Sequence, residues 1–93
     1  MRVAAIEVDF RIPGSDSLKA KRMVVRSLKD RIRARFPVAV AEVGHLDLHA
    51  RAQLGVAAVG ADGAVLARAL DDVLRLIESD ARVLVVDVIR SSL

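Results

Sequence analysis

Ninety-three residues make a single domain that buries only ~60–65% of the surface its unfolded form exposes, so there is room for one modest core. With 54% hydrophobic and 29% charged residues the chain is globular, and with no cysteine it excludes disulfides, thiolate metal sites and a thiol nucleophile. A net charge of +3 is too small to argue a polyanionic partner by itself, and no apolar run reaches the ~20 residues of a membrane helix or follows the pattern of a signal peptide.

Residues 2–12 alternate, with Ala4, Ile6, Val8, Phe10 and Ile12 on one face and Glu7, Asp9 and Arg11 on the other. That is the pattern of a half-buried strand. Pro13-Gly14 ends it, and Ser17 is placed to cap a helix over 18–35. Leu18, Val25, Leu28, Ile32 and Phe36 form the apolar stripe of that helix, and Pro37 stops it. A second strand over 38–43 leads into the polar loop 44–49. A third strand over 51–60 turns Ala52, Leu54, Val56 and Ala58 inward. Asp62 and Gly63 make a turn and cap before a second helix over 63–79. That helix is expected to bury Val65, Leu66, Ala69, Leu70, Val73, Leu76 and Ile77, with Arg68–Asp72 and Asp71–Arg75 paired on its outer face. A Val-rich strand over 82–90 closes the chain.

The order βαββαβ predicts an α+β, ferredoxin-like two-layer sandwich over residues 1–93, in which both helices cover one face of a four-stranded antiparallel sheet. Alternation within the strands fits one covered and one open face. The open face should carry Val3, Ala5, Glu7, Asp9, Gly55 and Ala57, small apolar positions able to seat a second protomer.

Charge is unevenly distributed. Residues 17–36 hold eight Lys or Arg against the single acid Asp30, whereas residues 62–80 hold five acids against Arg68 and Arg75. On a helix, Arg22, Arg26, Lys29 and Arg33 fall in one column with Lys19 beside it. A hydrated, single-signed column of this kind can follow nucleic-acid phosphates and release their counterions. It is equally what a solvated amphipathic face presents. Lys21 falls within the apolar stripe. It is expected to form a structural salt bridge with Glu7 or Asp9, the alternative being an anion site at the helix N-terminus. His45, Asp47 and His49, with Glu42 upstream, have the residue types of a metal cluster. Turn polarity explains them more simply, and no metal or other cofactor is expected. No Ser sits in a nucleophile elbow beside a base, so no catalytic residue is assigned. Gly60-Ala61-Asp62-Gly63 reads as turn plus cap, since an acid in the motif would repel phosphate. The strands lack the exposed aromatics on which RNA-binding sheets stack bases.

The segments Ser17-Leu18-Lys19-Ala20-Lys21-Arg22, Val40-Ala41-Glu42-Val43 and His45-Leu46-Asp47-Leu48-His49-Ala50-Arg51-Ala52-Gln53-Leu54-Gly55 together resemble the YlxP-like family of small bacterial proteins of unknown function. The resemblance spans essentially the whole chain. It implies a ferredoxin-like fold, and genes of this family often lie beside genes for translation initiation and ribosome maturation factors. The chain departs from the family pattern at Leu46 and Ala50, where Gln is expected, and at His49, where Trp is common. These readings converge on an expectation. The protein is a cytoplasmic, non-enzymatic, RNA- or ribosome-associated protein that binds through Lys19, Arg22, Arg26, Lys29, Arg33 and Arg51. The competing expectation is a protein-interaction module, or a homodimer, built on the open sheet face with no nucleic-acid role.

Overall fold

The computed structural model describes residues 1–93. The elements follow in the order β1 (Arg2–Arg11), α1 (Leu18–Arg35), β2 (Ala39–Gly44), β3 (Arg51–Gly60), α2 (Gly63–Glu78) and β4 (Leu84–Ser92). All strand pairs are antiparallel, and the sheet order β2-β3-β1-β4 is that of a ferredoxin-like fold.

Local chemistry sets the boundaries. The Ser17 hydroxyl accepts from the Ala20 amide at 3.0 Å, and the Asp62 carboxylate from the Ala64 amide at 2.9 Å. Each satisfies a donor that the first helical turn would otherwise leave orphaned. Phe36 takes φ −132°, ψ 141°, the extended conformation that the following proline imposes, and α1 ends there. β4 begins two residues later than expected. Residues 80–83 are instead drawn into a turn in which the Val83 amide donates to the Asp80 carbonyl and the Asp80 carboxylate holds Arg82.

The period-2 parity of β1 and β3 decides the core. Ile6, Val8 and Phe10 lie opposite Val56, Leu54 and Ala52 on the helix side. They are buried with Val25, Leu28 and Ile32 of α1 and Leu66, Leu70, Val73 and Ile77 of α2. Leu28 and Ile32 are wholly inaccessible, and burial of each contributes ~1.5–3 kcal/mol. Phe36 is only partly buried, packed against the rim of this cluster.

Three expectations about α2 and Lys21 are corrected. Val65 is exposed rather than buried, because it stands ~100° around the helix from Leu66 in the first turn, at the margin of the buried face. On α2 the ion pairs are Asp72–Arg75 at 2.6 Å and Asp71–Arg90 at 2.8 Å. Arg90 is the helix-side neighbour of Ile6 across the sheet, so it reaches Asp71 and displaces the pairing expected within the helix. Lys21 meets neither Glu7 nor Asp9. Those residues share the open face of β1, and Lys21 enters from the helix side.

Candidate nucleic-acid interface and the loop beside it

The solvent face of α1 is built by its own burial pattern. Lys21, Val24, Val25, Leu28 and Ile32 turn inward, which sends Lys19, Arg22, Arg26 and Lys29 outward. None of these four cations has an ion-pair partner. An open depression of about 540 Å³ on this face is lined by Lys19, Arg22, Met23, Arg26, Ser27 and Asp30. Lys19, Arg22 and Arg26 are exposed there with Asp30 as the one acid beside them, and half-buried Lys29 follows one residue before that acid; the cations lie at successive turns of the helix and are able to meet successive phosphates.

Two residues expected in the same footprint are occupied elsewhere. Arg33 remains exposed, but its Nη2 donates to the Val40 carbonyl at 3.0 Å, tying α1 to the edge strand β2. Arg51 lies on the opposite, open face of the sheet. Its Nε and Nη2 donate to the two carboxylate oxygens of Asp9 at 3.1 and 3.2 Å. The structure thus groups Lys19, Arg22, Arg26 and Lys29 and leaves Arg51 outside the group.

Beyond the start of α1, the segment between β2 and β3 is fastened from beneath by Lys21. This lysine is 1% exposed. Its Nζ donates to the His45 carbonyl at 2.6 Å and the Leu48 carbonyl at 2.7 Å, and lies 2.8 Å from Glu42 Oε2. The Glu42 contact falls outside hydrogen-bonding angles, so it is a charge–charge contact. Two carbonyls accept from the ammonium, and Glu42 supplies its counter-charge. Lys21 is thus the lock of the loop, with its charge already compensated. The structural salt bridge is present, with Glu42 as its partner.

The lock fixes what the loop displays. His45 adopts φ 56°, a left-handed conformation that costs a non-glycine residue free energy and persists where the surroundings over-determine it. Because a carboxylate only accepts, His45 Nε2 donates to Asp9 Oδ2 at 3.1 Å. By the same reasoning, His49 Nδ1 donates to the Ser15 carbonyl at 3.1 Å. Burial alone would push the Asp9 carboxyl up, but hydrogen bonds from Arg51 and His45, with their charges, outweigh it and hold it below the usual range. The Asp9 hydrogen bond and charge in turn push the Arg51 guanidinium up. His45, Asp47 and His49 do not converge, and no group of three His, Asp or Glu side chains is arranged to hold a metal ion. Leu46 and Leu48 point into solvent at the loop tip.

A parity argument was available in the sequence for Lys21. If Ile6, Val8 and Phe10 face the helices, Glu7 and Asp9 cannot. The Asp9–His45–Arg51 cluster could not be found this way, because it needs the register that sets Asp9 next to the β2–β3 loop.

A family model described as "Protein of unknown function (DUF503)" matches residues 3–90. The uncharacterized protein YlxP of Bacillus subtilis (strain 168) is 33% identical over 73 residues, covering 78% of this chain and 79% of that protein. No helix is long and apolar enough to cross a membrane.

Proposed function

The chain belongs to the DUF503 family, and from the chemistry of its own surface we propose that it is a cytoplasmic, non-enzymatic accessory protein that binds structured RNA, the ribosome included, through the phosphate backbone. One observation carries this reading. Lys19, Arg22, Arg26 and Lys29 stand together on the outer face of α1 without an ion-pair partner; Arg2, Arg11, Arg33, Arg35 and Arg68 also lack one, but the four on α1 follow one another at spacings of three or four residues along one helix face. Leaving cations unpaired and clustered costs self-repulsion, which a polyanion relieves.

Recognition would read shape and phosphate spacing. The open sheet face offers no aromatic ring, since Phe10 is wholly buried and Phe36 lies beyond the strands. Base stacking on the sheet is therefore absent from the mechanism. The basic helix meets the backbone, with a salt dependence set by the number of phosphates neutralised. The loop fastened by Lys21 lies near the helix N-terminus and would make secondary contacts through Leu46, Leu48 and His49.

Co-sedimentation with ribosomal subunits and with naked structured RNA across a salt series tests the reading. Binding that weakens steeply as salt rises is the expected result. No retention on either at low salt would overturn it, and the exposed sheet face would then be the leading interaction surface.

A further inference from the structure

Two further arginines stand beside the outer face of α1, fixed by one carboxylate. Arg31 of α1 donates through Nη1 to Asp80 Oδ2 at 3.1 Å. Arg82, in the turn between α2 and β4, donates through Nε and Nη2 to the two oxygens of the same carboxylate at 2.9 and 2.6 Å. Arg82 Nη2 also donates to the Ser27 hydroxyl at 3.1 Å, which draws the turn against α1. Asp80 is buried and both arginines are exposed. One carboxylate offsets one of two guanidiniums, so the cluster keeps a net positive charge. Arg82 Nη1 and Arg31 Nη2 make no hydrogen bond within the chain. Their protons point from forks already held in place, and a held arginine loses less conformational freedom when it meets a phosphate.

The outer face of α1 divides into strips. Arg22, Arg26 and Lys29 fall within about 60° of one another on one flank, and Met23, Ser27 and Asp30 within about 60° along the middle. Lys19 stands between these strips at the N-terminal end. Arg31 lies about 40° beyond Ser27 on the other flank, and the Ser27 contact brings Arg82 to the same side. The middle strip thus holds an apolar side chain, a hydroxyl and an acid, with no cation. A single phosphate strand lying along it would meet the Asp30 carboxylate. Two strands, one to each flank, would avoid it.

We infer that the RNA taken by this surface is double-stranded, and that α1 lies over its minor groove with Arg22, Arg26 and Lys29 on the phosphates of one strand and Arg31 and Arg82 on those of the other. This rests on the RNA reading above and adds the form of the RNA and a second row of contacts. The flanks stand about a helix diameter apart, ~10–12 Å. That suits the wide, shallow minor groove of an A-form duplex and exceeds the ~6 Å groove of B-form DNA. The middle strip suits what that groove displays. Its 2′-hydroxyls can donate to Asp30, and the Ser27 hydroxyl, which accepts from Arg82, keeps its own proton to donate.

Fluorescence anisotropy with a short blunt RNA duplex, its separate strands and a DNA duplex of the same sequence tests the inference across ~50–200 mM salt. The RNA duplex should bind about tenfold or more tightly than either strand, which can meet only one flank, and more tightly than the DNA. Arg31→Gln/Arg82→Gln should weaken duplex binding and make its log–log salt slope shallower by up to ~0.9 for each arginine, leaving the single-strand slope unchanged. Arg2→Gln/Arg68→Gln removes the same charge elsewhere and should keep the wild-type slope. Arg31→Gln alone leaves Arg82 on Asp80, so it preserves the turn and should show half the change; circular dichroism confirms the fold of each variant. Wild-type protein that binds none of the three overturns the RNA reading and this inference together. Single strands or DNA bound as tightly as the RNA duplex, or arginine variants with the wild-type slope on it, leave the RNA reading standing and overturn the inference.

Discussion

Replacing Lys21 by Met isolates the role of the loop lock. Methionine keeps the length of the stem and removes the ammonium. Two hydrogen bonds from a charged donor disappear, to the carbonyls of His45 and Leu48, and Glu42 loses its counter-charge. The His45 carbonyl keeps one donor, the Leu48 amide at 3.0 Å. Breaking a buried pair from one side costs ~3–5 kcal/mol. The Glu42 side chain is 18% exposed and recovers some hydration, so a loss of about 3 kcal/mol is expected. For a domain of this size that lowers the thermal midpoint by roughly 12–24 °C. Adding Glu42→Leu to Lys21→Met removes the orphaned charge and should restore about half the loss, a coupling that distant sites do not show. Urea and thermal unfolding of the two variants measure it, and amide exchange should show residues 45–50 opening first. A single variant within ~0.5 kcal/mol of wild type, or a double variant no better than the single, would refute the lock.

Leu28→Ala should cost ~2–5 kcal/mol by urea unfolding, since the side chain is wholly enclosed between α1 and the sheet and its loss leaves a cavity. Asp80 carries part of the acid sensitivity of the fold, beside Asp9. Hydrogen bonds from Arg82 and the nearby charges of Arg82 and Arg31 outweigh burial and hold its carboxyl down to about 2. A carboxyl depressed on folding stabilises above its unfolded value and loses that contribution as pH falls through its folded value. Unfolding measured between ~pH 5 and pH 2 should therefore lose about 1–2 kcal/mol from this residue, discounted for the half-exposed arginines. Asp80→Asn should flatten that part of the profile.

The ferredoxin-like layout was legible because local signals agreed with one another. Alternation in β1 and β3, the caps at Ser17 and Asp62 and the stop at Pro37 each pointed to the same architecture. The partner of Lys21 was misread because helical periodicity alone shows that it lies in the apolar stripe and says nothing about which carboxylate shares its layer. The run Val38-Ala39-Val40-Ala41 is apolar on both faces. The inward position of Val40, and with it Glu42, therefore emerges only from pairing with β3. Arg51 was grouped with the helix cations on charge type alone. Its commitment to Asp9 depends on sheet registry between residues 42 apart in sequence, which no local pattern encodes. The outward column on α1 was legible. What the sequence could not supply is that Arg33 is engaged by the edge strand while the other four cations have no ion-pair partner.

The central claim rests on those four cations, and a Lys19/Arg22/Arg26/Lys29→Gln variant tests it most directly. Gln is a good helix former, so folding should persist. Affinity for structured RNA is measured across ~50–200 mM salt, with Arg2→Gln/Arg68→Gln as a control for charge lost elsewhere. The variant should bind more weakly, and its log–log salt slope should be shallower by up to ~0.7–0.9 for each of the four phosphates released, while the control keeps the wild-type slope. A quadruple variant with unchanged affinity and slope would contradict the account and make the α1 face ordinary solvated surface.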